Sequence, residues 1–194
     1  MDAAQGPAGD GAAGKAACRR AVLARRAGLA PDVRARGDAE RSARLLGAPV
    51  LAGAQCLTVY LSAGTEPNTS DLLQALAVRG RRVLLPRLRP DGGLDLVVDD
   101  GTRRPGLRGT VEPTGPAVPE RPDVWIVPAL AVSRAGVRLG RGGGAYDRVL
   151  PPGVPVIALL HAGELVDALP AEPHDRPVTH VALPDALLTV PVVT

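Results

Sequence analysis

Between Asp123 and Val132 the chain reads DVWIVPALAV, an almost unbroken apolar run. A strand with one face in water alternates apolar and polar residues, so a run without alternation belongs to a strand covered on both faces. This requirement constrains the fold more than any other feature, because the chain must lay material on both sides of a sheet. The same signature recurs at PVIALLHA (155–162) and CLTVYLS (56–62). RVLLPRL (82–88), LDLVVDD (94–100, open to antiparallel pairing), THVALPD (179–185) and LLTV (187–190) supply further strands.

Helical patterns lie between them. Residues 14–29 suit a helix with Cys18, Val22 and Leu29 as apolar points; Lys15, Arg19 and Arg26 share one stripe of it, with Lys15 expected to be exposed. A second helix runs from Pro31 or Asp32 to Leu46 and closes at Gly47; a third spans 69–80 with Thr69 or Ser70 as its cap. A short helix is expected after the glycines at 140–144. Strands alternating with helices define an α/β class: a layered, mostly parallel sheet flanked by helices, in a Rossmann-like three-layer arrangement. Residues 1–13 read as a disordered tail and 14–194 as a single α/β domain. The core must be aliphatic, since the chain has no Phe and its only aromatics are Tyr60, Trp125 and Tyr146.

Composition excludes several classes. The opening MDAAQGPAGDGAAG has neither the charged nor the apolar region of a secretory signal, and no apolar run reaches membrane-spanning length. Cys18 and Cys56 have no metal or redox spacing and are expected to pack as small apolar side chains. A cytoplasmic monomer is the expected state. Net charge is +3, and the basic excess over 15–46 reads as a solvated helix face. No aromatic platform accompanies it, so nucleic-acid binding is not expected. Lys15 is the only lysine among 23 basic residues. In a chain that uses arginine everywhere else, this marks a place where a compact ammonium matters.

The chemistry concentrates in RLGRGGGAYDR, residues 138–148. Glycines leave backbone N–H groups bare for an anion, and a helix start behind them adds a positive dipole end. Arg138, Arg141 and Arg148 add guanidinium forks that match phosphate oxygens. Asp147 would repel a bare phosphate, which suggests a bridging Mg²⁺. A nucleoside triphosphate satisfies the whole set. Gly140, Gly142 and Ala145 also match G-x-G-x-x-A, so a dinucleotide-binding reductase stays open as an alternative. A Walker A loop is excluded because no Gly-Lys-Ser/Thr occurs.

The segment VPALAVSRAGVRLGRGGGAYDR resembles the signature of the 5-formyltetrahydrofolate cyclo-ligases, an apolar Pro-x-Leu-Ala strand followed by R-L-G-x-G-x-G-Y-Y-D. Lys15 to Arg19 resembles the family's Lys-x-x-x-Arg, YLSAGTEPNT its strand with a following Glu, and EPHDRPVTHV its late acidic turn. The likeness spans roughly Gly14 to Pro184. It implies ATP- and Mg²⁺-dependent ring closure of 5-formyltetrahydrofolate to 5,10-methenyltetrahydrofolate. Carried over, Lys15 and Arg19 would contact ATP, and Arg138, Leu139, Gly140, Arg141, Gly142, Gly143, Gly144, Ala145 and Tyr146 would cradle its phosphates. Lys15, Arg138 and Arg141 would carry the charge stabilisation, and Asp147 and Asp175 would hold Mg²⁺. Leu61 and Glu66 would contact the folate, Glu66 through the pterin's N–H groups, and Tyr60 beside them offers a stacking face, as do Tyr146 and Trp125. Ala145 departs from the family pattern, which has a tyrosine there. A relative that binds nucleotide without catalysis is the remaining alternative.

Overall fold

The computed structural model describes residues 11–191. In chain order its elements are α1 (Gly11–Ala27), α2 (Pro31–Leu46), α3 (Pro49–Ala52), β1 (Cys56–Val59), α4 (Ser70–Val78), β2 (Arg82–Leu88), β3 (Leu94–Val98), β4 (Arg103–Pro105), β5 (Val111–Pro113), β6 (Val124–Pro128), β7 (Ala131–Ser133), β8 (Arg138–Leu139), β9 (Val156–Leu159), β10 (Leu165–Val166), β11 (His180–Ala182) and β12 (Leu187–Thr189). Seven strands form one sheet in the order β12-β11-β9-β6-β1-β2-β3, parallel throughout its centre, with the two edge strands β12 and β3 antiparallel. The expected layered, mostly parallel α/β sheet is thus the observed one. The predicted tail falls mainly in residues 1–10, outside the described residues; the first helix already includes residues 11–13.

The apolar runs behave as the two-face argument requires. In β6, Val124 and Ile126 enter one core with Leu57 and Val59 of β1, Leu45 of α2 and Leu72 and Leu76 of α4. Trp125 and Val127 enter the opposite core with Ala158 of β9, Val181 of β11 and Val132 of β7. Helices α2 and α4 cover the first face. The second is covered by a three-stranded sheet, β10-β7-β8, and by the turn that carries Tyr146, Val149 and Leu150. α1 packs through Cys18 and Val22 onto Leu130, Ala131 and Leu139 of that smaller sheet.

Two local expectations change. The run 123–132 is not one strand: β6 ends at Pro128 and the chain crosses to the small sheet, where β7 pairs with β8. The carbonyl of Pro128 turns to Arg138 and that of Ala129 to Arg26, so side chains replace ladder bonds at the crossing. No helix follows the glycines either. Residues 145–149 make only a turn, closed by the Val149 and Leu150 amides on the Tyr146 carbonyl. Thr69 does sit at the start of α4, but its hydroxyl bonds the Tyr60 carbonyl rather than the helix, and Asn68 Oδ1 takes the Ser70 amide.

The join between α1 and the small sheet is ionic. Arg26 donates through Nε (2.8 Å) and Nη2 (2.7 Å) to the two oxygens of Glu164, and Nη2 also reaches the Ala129 carbonyl at 2.7 Å. Both side chains are 0% exposed. Removing one partner of such a pair strands a buried charge, which costs about 3–5 kcal/mol, whereas an apolar replacement of both is far milder. Glu164→Gln is therefore expected to lower unfolding free energy by about that amount in urea titration. The double variant Arg26→Met/Glu164→Leu should recover part of the loss.

Candidate active site

A cavity of about 680 Å³ opens at the carboxyl ends of β1, β6 and β2. In the sheet order β6 and β2 lie on opposite sides of β1, so their connections diverge and leave a crevice there, the usual ligand position in an open α/β sheet. Tyr60 and Leu61, which follow β1, form its floor with Pro128, Ala129 and Leu130 at the end of β6. Of the residues singled out for the site, Lys15, Arg19, Tyr60, Leu61, Glu66, Asp147, Asp175 and the segment Arg138 to Tyr146 meet here, while Arg148 and Trp125 do not. Those that meet come from four separate stretches of chain.

The cations are held in place by carboxylates and carbonyls. Lys15, read from sequence as an exposed helix position, is instead buried, at 6% exposure. Its Nζ donates to Asp175 Oδ2 at 2.8 Å and Glu172 Oε2 at 2.7 Å. Burial alone would lower its pKa, but the two carboxylates outweigh this and the ammonium is held above its ordinary value. Burial likewise pushes the Asp175 carboxyl up, yet Lys15 and the Glu172 amide bring it below its ordinary value. Arg138 Nη2 donates to Asp147 Oδ1 at 2.9 Å, with the guanidinium 5.5 Å from the Tyr146 ring centroid. Arg141 Nε donates to Glu66 Oε1 at 3.0 Å while the Ala63 amide occupies Glu66 Oε2. Arg19 Nε fixes the glycine segment through the Gly140 carbonyl at 2.9 Å.

Glycine is required in that segment. Gly142 has φ +100°, a conformation that side-chain-bearing residues rarely adopt, and a Cβ there would stand 3.4 Å from the Arg19 guanidinium. Because only a turn follows, the segment offers bare amides without a helix dipole. The same fact removes the dinucleotide reading, whose fingerprint needs a strand turning directly into a helix. Arg148 is not at the cavity: its guanidinium joins the carbonyls of Gly143 and Gly92, tying the glycine segment to the turn between β2 and β3. Trp125 is also elsewhere, in the core on the second face. Tyr60 stays, buried and donating to the Pro67 carbonyl at 2.8 Å, and burial holds its phenol well above the usual range.

The donor set suits a hard cation. Magnesium takes oxygen ligands, usually one or two carboxylates beside substrate phosphates. Asp147 Oδ2 accepts no hydrogen bond among the described residues, and Asp175 Oδ1 meets only His174 Nε2, at 4.0 Å. Glu172, His174 and Asp175 place ligand atoms within 4.8 Å of one another. Glu172 was not foreseen as part of the site, although it is the acid that opens the EPHD turn. The β4–β5 hairpin, which forms one cavity wall through Leu107, Val111 and Glu112, was missed as well.

Residues 12–184 match the model of the 5-formyltetrahydrofolate cyclo-ligase family. The chain is 40% identical over 183 residues to the 5-formyltetrahydrofolate cyclo-ligase of Mycolicibacterium smegmatis, covering 88% of this chain and 93% of that protein. It is 30% identical to the enzyme of the same name from Escherichia coli, over 84% and 96% of the two chains. Among solved structures it resembles a 5,10-methenyltetrahydrofolate synthetase from Aquifex aeolicus, with TM-score 0.79, 24% identity, and coverage of 90% and 92%. A Mycoplasma pneumoniae synthetase gives TM-score 0.70 at 19% identity, over 87% and 97%.

The linked ionisations of Lys15 and Asp175 set a pH window. A raised lysine pKa contributes stability below 10.5 that is lost as pH rises through the folded value. A lowered aspartate pKa contributes above 3.8 and is lost as pH falls through the folded value. The stability difference between wild type and Lys15→Met should therefore be flat from about pH 5 to 9 and shrink below about pH 4. Denaturant unfolding of both proteins across that range measures it; a difference that grows in acid would contradict the pairing.

Proposed function

The chain belongs to the 5-formyltetrahydrofolate cyclo-ligase family, and from this premise we propose that it converts 5-formyltetrahydrofolate and ATP to 5,10-methenyltetrahydrofolate, ADP and phosphate. The observation that carries the reading is the convergence of the glycine segment, four cationic side chains and the Leu61–Glu66 stretch on one cavity. The chemistry asks for this arrangement. A formyl amide oxygen is a very poor leaving group, so N10 cannot close the ring unaided. Transfer of the γ-phosphoryl group to that oxygen gives an imidate-like phosphate. N10 then attacks the formyl carbon, phosphate leaves with the C–O bond electrons, and N10 gives up its proton.

The protein's part is positioning and charge stabilisation, as in other phosphoryl transfers. Amides of Gly142, Gly143 and Gly144 and the guanidinium of Arg138 receive the phosphates. Arg141, 57% exposed on its side chain, is free to swing from Glu66 toward the γ-phosphoryl oxygens. Lys15, fixed by Asp175 and Glu172, keeps a compact charge at the same end. Mg²⁺, held by Asp147 and Asp175, would neutralise phosphate charge when bound. Leu61 and Tyr60 present an apolar surface to the pterin, and Glu66, once released by Arg141, accepts from its N–H groups. Ala145, where the family pattern has a tyrosine, leaves room on that side. Among the described residues no helix is long and apolar enough to cross a membrane, and the reading places the enzyme in the cytoplasm with its reduced folate.

Purified protein should produce the methenyl chromophore from 5-formyltetrahydrofolate only when ATP and Mg²⁺ are both present. Asp147→Asn should lower turnover by about a hundredfold, since single electrostatic contacts contribute about 3–4 kcal/mol in transition states. Steady-state rates against Mg²⁺ concentration test it, and wild-type turnover with unchanged Mg²⁺ dependence in the variant would remove Asp147 from the metal site.

A further inference from the structure

The acid in the β4–β5 hairpin has no part in the chemistry above, yet it is built into the cavity wall. Glu112 is 5% exposed and lines the same cavity as the glycine segment. Its Oε1 accepts the Leu107 amide at 3.3 Å. Among the described side chains no cation pairs with it, and its Oε2 accepts no hydrogen bond there. A carboxylate at 5% exposure in the wall of a cavity is an acceptor that a ligand in that cavity can reach.

A second observation shows that the carboxylate is seated rather than merely tucked away. Gly106, with an ordinary φ of −108°, has no conformational need to be glycine. A Cβ at that position would stand 2.2 Å from Glu112 Cγ, 2.3 Å from Cδ and 2.7 Å from Oε1. Gly106 is therefore a cradle for the Glu112 side chain, and the Leu107 amide fixes its outer oxygen.

The surroundings identify the ligand chemistry. A carboxylate is a poor neighbour for phosphate, and the cations of the cavity lie with the glycine segment and α1. Glu112 stands on the other wall, beside the apolar Leu107 and Val111, on a hairpin that packs against β2. An apolar wall with one acceptor suits a flat heteroaromatic ring whose edge carries N–H donors. A reduced pterin offers N–H donors at its 2-amino group, N3 and N8, and Glu66, whose Oε2 already accepts the Ala63 amide, does not have a free acceptor position for each of them.

We propose that Glu112 is a specificity-determining residue for the folate: its carboxylate accepts N–H groups of the pterin ring that Glu66 leaves unpaired, with Gly106 setting its position. This rests on the function proposed above. A site that hydrogen-bonds its ligand through a buried acceptor loses affinity when the acceptor is altered, while binding at the other end of the cavity is untouched.

The test is direct binding of 5-formyltetrahydrofolate and of Mg·ATP, with steady-state kinetics, for wild type, Glu112→Gln and Gly106→Ala. Glu112→Gln keeps the size of the side chain, and equal melting temperatures would show that its fold is intact. The expected result is a tenfold or greater rise in Kd and KM for the folate in both variants, with Kd for Mg·ATP unchanged. Glu112→Asp, which keeps the charge at shorter reach, should recover part of the loss. Folate affinity unchanged in Glu112→Gln, or folate and ATP affinity falling together, would overturn the assignment while leaving the functional reading in place. Wild-type protein that binds no 5-formyltetrahydrofolate would overturn both.

Discussion

The buried pair of Arg26 and Glu164 is the joint on which the site depends. Lys15 and Arg19 reside on α1, and the glycine segment leaves the small sheet at β8. These two parts are more than a hundred residues apart in the chain. Arg26 closes that gap by gripping Glu164 with two N–H groups and the Ala129 carbonyl with a third contact. The His161 amide adds a further hydrogen bond to Glu164 at 2.9 Å, and the His161 ring reaches the Thr65 carbonyl, next to Glu66. One desolvated carboxylate thus ties the α1 side of the cavity to the Glu66 side. Such pairs add little net stability over apolar packing, but their geometry admits only one arrangement.

The same logic recurs at the cavity surface, where three of its cations rest against carboxylates: Lys15 on Asp175 and Glu172, Arg138 on Asp147, and Arg141 on Glu66. Four positive charges lining one crevice would repel each other without these partners. The pairs differ in exposure, and exposure decides what each can do. Lys15 and Arg138 are buried and hold their positions, whereas the exposed Arg141 pair lies in high dielectric and exchanges partners at little cost. The cavity is preorganised at its base and adjustable at its rim.

The departures from local expectation each have a physical reason. The segment after the glycines has residues that would tolerate a helix, but Arg148 is drawn to carbonyls of Gly143 and Gly92 and the chain then meets Pro151 and Pro152. In the run 123–132 only Pro128 marks the break; the apolar pattern does not, because strands of the large and the small sheet are buried alike. Trp125 adjoins the site in sequence yet points away from it, since successive strand residues face opposite sides.

The sequence by itself determined the class of fold, the strands of its central sheet, and the glycine segment that lines the cavity. Those depend on periodicity, on glycine's freedom at Gly142 and on motif order, all of which are local properties. The site residues were legible for the same reason, being concentrated in four short motifs. Only the tertiary structure decided that Lys15 is buried between two carboxylates, that Arg148 and Trp125 lie outside the cavity, and that Glu172 and the Glu112 hairpin belong to it. Burial and charge pairing are set by contacts across long sequence separations, and no window of the chain contains both partners.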